Sequence, residues 1–234
     1  MSDSWDDIAA WWTDEVRDDP AYTQDIHPIL LELFDGTGGL SLDLGCGEGQ
    51  VMRLVGGSII GTDLSLELLR IAVSAGPVVQ ARLPGLTWLK PDTFDRAFSV
   101  YLVDLIADHS SFFSDVARIV KPGGHLVVAM NHPVYTAPGS APLMDSDGEV
   151  LWRWGTYLSE GSSLEAAGPR TIEFYHRPVG ELLTAAAAAG WSLDRMIERG
   201  LSAETISRFP AYVGQEHIPR LAGFRWRRMV PEGL

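Results

Sequence analysis

"SLDLGCGEGQ", residues 41–50, sets glycines at 45, 47 and 49 directly behind a short apolar run. Glycine is costly to order and is used where φ must be positive or where something approaches the backbone closely. The run "GLSLDLG" reads as a buried strand closed by a tight turn, and "EGQVMRLV" opens a helix. A strand, a glycine turn and a helix start together leave backbone amides bare for a ligand. Dinucleotide enzymes space these glycines as G-x-G-x-x-G, which requires a glycine at position 50. Gln50 stands there, so a nicotinamide-dependent oxidoreductase is disfavoured.

Downstream, strand and helix patterns alternate. "SIIGTD" is a second apolar run ending at Asp63. "LSLELLRIAVSAG" has helical spacing, with Leu64, Leu68, Leu69, Ala72 and Val73 on one side and Gly76 as a stop. "PVVQA" and "FDRAFSVYL" are strands three and four. "SSFFSDVARIV" is a helix closed by "KPGG", and "HLVVAMNH" is strand five. Five alternations predict an α/β fold, a mostly parallel sheet with helices on both faces. Residues 133–170, rich in Pro, Gly, Ser and Trp, show no period. Such a segment predicts a lid or acceptor-binding insertion after strand five, with Trp152, Trp154 and Tyr157 supplying apolar surface. "RTIEFYHR" reads as extended, "VGELLTAAAAAGW" as a helix, and "SLDRMIERG" and "FRWRRMV" as closing strands.

The chain has 234 residues and a net charge of −13. That length fits one domain with a sizeable core. Asp3, Asp6, Asp7, Asp14, Glu15, Asp18, Asp19 and Asp25 crowd the first 25 residues against Arg17 alone. So acidic a surface repels phosphate backbones, and nucleic acid is not an expected partner. Arg220, Arg225, Arg227 and Arg228 are spread along a strand pattern and read as a solvated face. No stretch approaches the roughly 20 apolar residues of a membrane span, and the first residues lack a secretory pattern. The expectation is a cytoplasmic protein without membrane contact. The single cysteine, Cys46, lies between two glycines and reads as packing.

"LDLGCGEG" taken whole, with an acid two residues before the first glycine, resembles the first motif of class I S-adenosylmethionine-dependent methyltransferases. "HPVYTAPG" and "YHRPVGELLTAAAAAGW" are similar to segments of the bacterial members that act on small molecules, secondary metabolites among them. The resemblance implies a Rossmann-like seven-stranded sheet in which the last strand lies antiparallel between strands five and six. It implies one domain over 1–234: N-terminal cap helices (1–36), a cofactor-binding core (37–132), the insertion (133–170) and a C-terminal completion of the sheet (171–234). S-adenosylmethionine is the implied cofactor and S-adenosylhomocysteine its product. Asp63, with Leu64 beside it, falls where the family binds the ribose hydroxyls; a carboxylate is a natural bidentate acceptor for a vicinal diol. The backbone of Gly45, Cys46 and Gly47 is implied to face the methionine half, with Asp43 holding its ammonium. Gln80 stands where an adenine-contacting acid is usual, and Ala81 offers its backbone, ahead of a matching Leu83–Pro84 pair. Tyr101 is implied to border the cofactor, and Trp12 and Tyr22, with Trp11, to cover it.

Methyl transfer is an in-line displacement at an activated carbon, so the protein aligns the reactants, excludes water and often takes one proton. His132, ending strand five, and His176, before the last helix, are the expected acceptor-side catalytic residues. Tyr135, Asp104 and Tyr175 come second. No metal-ligand spacing is present, so no metal is expected. The expected partner is a small-molecule acceptor with an O, N or C nucleophile, and the chain a monomer or homodimer. The alternative is a cofactor-binding protein of this fold with a non-methylating or regulatory role.

Overall fold

The alternation read from the sequence is present in the computed structural model, which describes residues 2–16 and 19–230. Helices α1 (Ser2–Val16) and α2 (His27–Phe34), joined through a π-helical turn at Ala21–Ile26, precede strand β1 (Ser41–Leu44). Then come α3 (Gln50–Val55), β2 (Ile59–Asp63), α4 (Leu66–Ala72), β3 (Val78–Gln80), β4 (Phe94–Val100), α5 (His109–Ile119) and β5 (Val120–Asn131). The remainder is α6 (Pro133–Thr136), β6 (Ala141–Met144), β7 (Val150–Arg153), β8 (Gly161–Ala167), β9 (Arg170–His176), α7 (Val179–Ala188), β10 (Trp191–Arg199), α8 (Ala203–Arg208) and β11 (Leu221–Arg228).

The main sheet has seven strands in the order β10-β11-β5-β4-β1-β2-β3. The pairs among β1 to β5 are parallel, and β11 runs antiparallel between β5 and β10. This is the sheet anticipated, last strand included. "KPGG" does not close α5 as expected. It lies within β5, where the register against β4 jumps from Phe94↔Val120 to Arg96↔His125.

Side-chain alternation in β5 separates two core layers. Leu126, Val128 and Met130 pack with Phe112, Phe113 and Trp191 on one face. Val127 and Ala129 pack with Ile29, Leu30 and Leu33 of α2 on the other. Helix α5 buries Phe112, Phe113, Val116 and Ile119, and Asp108 caps it by accepting from the Ser111 amide at 2.9 Å. Helix α2 sits close because β11 presents Gly223 to it: a Cβ there would lie 2.5 Å from Ile29 Cγ2 and 2.9 Å from Leu33 Cδ1. Gly223→Val is expected to lower stability by about 1–3 kcal/mol, the usual cost of overpacking. The check is the urea midpoint, which should fall with the slope unchanged.

The insertion is not irregular. It holds two antiparallel hairpins, β6–β7 and β8–β9, the second running past residue 170 to His176. Its strands escaped sequence reading because each is short and mostly exposed, so no buried face imposed an apolar alternation.

Candidate active site

A cavity of about 630 Å³ opens at the carboxyl ends of β1, β2 and β4. Its floor is the glycine turn. Gly45, Gly47 and Gly49 have φ of 74°, 53° and 86°, values that side-chain-bearing residues rarely adopt. At Gly45 a Cβ would also lie 2.9 Å from Leu102 Cδ1. Gly49 caps α3, whose buried Val51 and Met52 anchor the turn to the core.

Asp63 ends β2 at the rim and lines the cavity. Its Oδ2 accepts from the Gly47 amide and its Oδ1 from the Ser65 amide, both at 2.9 Å. One carboxylate therefore ties the glycine turn to the start of α4, and the ring of bonds fixes its plane. Burial raises its pKa, and the backbone donors oppose that shift.

Asp43 lies beneath the turn, 2% exposed, and does not line the cavity. Its Oδ2 is buried without a hydrogen-bond partner. Burial first, then the charges of Asp63 and Glu48, push its pKa well up. Glu48, buried and lining the cavity, pairs with Arg53 at 2.9 Å and is also shifted upward by burial. Three carboxylates around one turn, one with an unused acceptor atom, form a site that favours a cationic ligand. Cys46 lines the cavity, but its thiol is pressed against Gly61 and its pKa is driven far up by burial, so it is no nucleophile.

The roof is aromatic. Trp5, Trp12, Tyr22 and Tyr101 follow one another edge to face at centroid separations of 5.9, 6.3 and 5.4 Å, and all four line the cavity. Tyr101 holds φ of 53° just beyond β4, its amide donating to Ala129. A positive φ at a non-glycine residue costs about 1–3 kcal/mol and clusters at ligand sites. Trp11 does not line the cavity; it packs on Gly168 at the tip of the β8–β9 hairpin. With Ile8, Ala167 and Ile172 it makes a small core joining α1 to that hairpin. Asp6 of α1 accepts from Ser65 Oγ at 2.5 Å, and Asp7 pairs with Arg170 at 2.7 Å. The cover is thus composite: α1, the π-helical turn and the corner after β4 supply the aromatic rings, and the β8–β9 hairpin is tied to α1.

Leu64, Ala81 and Leu83 line the cavity beside Asp63. Gln80 does not. Its side-chain amide donates to the Leu64 carbonyl at 2.9 Å on the exposed edge of β3, which corrects its assignment as an adenine contact. The Ala81 amide is already used, donating to Asp63 O at 2.9 Å.

The structure brings neither expected histidine to the cavity. His132 Nδ1 accepts from the Val134 amide at 3.0 Å, starting α6, and Nε2 donates to Glu198 at 2.7 Å. His176 Nε2 donates to the Tyr157 carbonyl at 2.9 Å, and Nδ1 accepts from Thr136 Oγ1 at 3.3 Å. Each ring has both nitrogens engaged, and burial lowers both pKa values. They brace the connection after β5 and are not placed as bases. Tyr135 stacks on Trp152, and Trp154 meets Tyr157; none of these four lines the cavity, so the expected apolar cover from Trp152, Trp154 and Tyr157 is also corrected.

β9 adds polar groups to the cavity wall. Glu173 and Tyr175 line the cavity, and the Tyr175 hydroxyl donates to Glu173 Oε2 at 2.8 Å. Hydrogen bonds from Ser162 and Tyr175 hold the Glu173 pKa below its usual value. Sequence reading named Tyr175 second and passed over Glu173. The signal was strand alternation in "RTIEFYHR": residues 173 and 175 share a face, and 176 takes the other. Among the described residues, no group of three His, Cys, Asp or Glu side chains is placed to hold a metal ion. Nor is any helix long and apolar enough to cross a membrane.

Comparison with known proteins bears on the same region. Residues 42–128 match the "Methyltransferase domain" family model. A ubiquinone biosynthesis O-methyltransferase from Cupriavidus pinatubonensis is 29% identical over 133 residues, 51% of this chain and 53% of that one. A demethylmenaquinone methyltransferase from Tropheryma whipplei is 32% identical over 130 residues, 45% of this chain and 53% of that one. The chain spans about half the length of the curated relatives it matches. The crystal structure of an S-adenosylmethionine-dependent methyltransferase from Mesorhizobium loti superposes with a TM-score of 0.74 at 29% identity, covering 86% of this chain and 96% of that one. The matched segment runs from β1 into β5, the part that builds the glycine turn, Asp63 and the Tyr101 corner, and there the chain resembles S-adenosylmethionine-dependent methyltransferases in both sequence and fold.

Proposed function

We propose that this protein transfers a methyl group from S-adenosylmethionine to a hydroxyl of a small, largely apolar acceptor. The carrying observation is the cavity. One end has a glycine cradle, a fixed Asp63 and the Glu48 carboxyl, with Asp43 buried behind the turn, which suit a ribose and a cationic amino-acid tail. The other has Leu105, Ile106, Leu164 and Ile172 around the Glu173–Tyr175 pair. The cofactor, when bound, supplies a methyl group already activated by its sulfonium. Asp63 receives the ribose hydroxyls, and the ammonium sits over the glycine turn, with Asp43 acting on it only from behind that turn. The aromatic roof excludes water, and the β9 face orients the acceptor while Glu173 takes its proton. The O-methyltransferase name of one relative agrees with a hydroxyl acceptor.

The test is release of S-adenosylhomocysteine from the cofactor with a panel of hydroxylated aromatic compounds. Glu173→Gln is expected to lower turnover about tenfold while affinity for S-adenosylhomocysteine stays level. His132→Asn is expected to keep turnover at the wild-type level. If S-adenosylhomocysteine binds but no acceptor is methylated, a regulatory role replaces this reading. A Glu173→Gln variant as fast as wild type removes the assigned base.

A further inference from the structure

We propose that the hollow at the opposite edge of the sheet is a second binding site, for the phosphate group of a small ligand. This hollow, about 600 Å³, lies where β1, β2 and β4 begin, and Arg96 stands in its wall. Arg96 is 4% exposed yet has no carboxylate partner among the described residues. Its Nε donates to Ser41 Oγ at 3.2 Å and its Nη1 to Thr37 Oγ1 at 3.1 Å, both neutral acceptors. Its guanidinium carbon sits 4.4 Å from the Phe34 ring centroid and 5.6 Å from that of Phe98. A guanidinium has five N–H bonds, so three remain without an acceptor among the described residues. Burying a charge without a counter-charge is costly, and such groups are ordinarily paired.

The surroundings complete the case. The net charge is −13, yet among the described residues no Asp or Glu side chain lines this hollow. Asp95, the neighbouring acid, lies against Gly39 but is already engaged: its Oδ2 accepts from the Leu40 amide at 2.8 Å and its Oδ1 pairs with Lys121 at 2.7 Å. Gly38, Gly39, Gly57 and Ser58 line the hollow, and among the described residues no hydrogen bond engages their amides. A guanidinium fork beside bare backbone donors is the arrangement that holds a phosphate. The volume exceeds that of the bare anion and suits a phosphorylated small molecule. The site is remote from the methyl-transfer cavity and independent of the function proposed there.

The experiment is calorimetric titration of the whole chain with inorganic phosphate, against acetate at matched ionic strength. Saturating S-adenosylhomocysteine is present throughout to fill the other cavity. The expected result is saturable phosphate binding that Arg96→Met and Gly38→Asp each weaken at least about tenfold. Gly38 is the cleaner variant, because a Cβ there meets nothing within 4 Å, so the fold is kept while a carboxylate enters the hollow. No saturable phosphate heat overturns the proposal. So does equal binding by Gly38→Asp, or acetate binding as tightly as phosphate.

Discussion

Asp63→Ala is expected to weaken binding of S-adenosylhomocysteine by about a hundredfold. Besides the ribose it is proposed to hold, the carboxylate serves two structural amides: Gly47 in the turn and Ser65 at the start of α4. Its loss removes a charge-assisted contact to the ligand, worth about 1.5–3 kcal/mol. It also unties the turn that presents the methionine half, so the two effects compound. Asp63→Asn, which keeps one acceptor oxygen and sets an N–H₂ against the other amide, is expected to fall between wild type and Ala. The pH dependence has a definite sign. Burial raises the Asp63 pKa, so the acceptor form is lost as pH falls, and lost earlier than for an exposed aspartate. Affinity should therefore drop on acidification in wild type and stay flatter in Asp63→Ala. Calorimetry on both proteins, with thermal midpoints to confirm the fold, checks this. Equal affinities would place the ribose elsewhere.

The glycine turn and Asp63 were legible in the sequence because a backbone that must adopt positive φ leaves a glycine signature, and a strand end followed by a helix leaves an acid at a fixed place. The sheet was legible for the same reason, since strands buried on both faces write continuous apolar runs. Acceptor-side geometry leaves no such mark. His132 and His176 look like bases in the sequence, but the turn into α6 and the Tyr157 carbonyl use their nitrogens. Whether an imidazole is free depends on contacts from residues 19 and 66 positions away, beyond any local pattern. Glu173 was hidden for the converse reason. It lies on an exposed hairpin strand, and only the closure of α1 through Ile8, Asp7 and Trp11 makes that strand a wall. Gln80 failed because position in a motif does not fix a rotamer; the neighbouring Leu64 carbonyl captured its amide.

The same blindness to long-range burial applies to Asp104, and its removal carries a large stability effect. It lies in the turn Val103–Leu105 after β4, 1% exposed, between Leu102 and Leu105 of the cavity wall. Oδ2 accepts from Asn131 at 3.4 Å, while Oδ1 has no partner. Burial pushes its pKa up to about 7, against the pull of Asn131 and of the Arg177 charge. An acid whose folded pKa lies above its unfolded value binds protons more tightly when folded. Its contribution to stability is therefore full below pH 4 and is lost as pH rises toward 7. From pH 5 to pH 8 the loss amounts to on the order of 2–3 kcal/mol. Asp104→Asn cannot ionise, so it removes this dependence while keeping an oxygen for Asn131. Its own cost, an amide in place of a carboxyl oxygen at a buried unpaired position, is about 1–3 kcal/mol and independent of pH. Urea unfolding of both proteins at pH 5, 6, 7 and 8 separates the two terms. The variant's stability relative to wild type should climb with pH and level off above 7, where wild type has lost about 4 kcal/mol in all and the variant is the more stable of the two. Parallel curves across that range would mean that Asp104 is ionised throughout and that Arg177 or water compensates its charge in solution. The climbing difference would mean that the wall of the acceptor cavity rests on a carboxyl group balanced near neutrality, a stability cost of the kind that sites of chemistry retain.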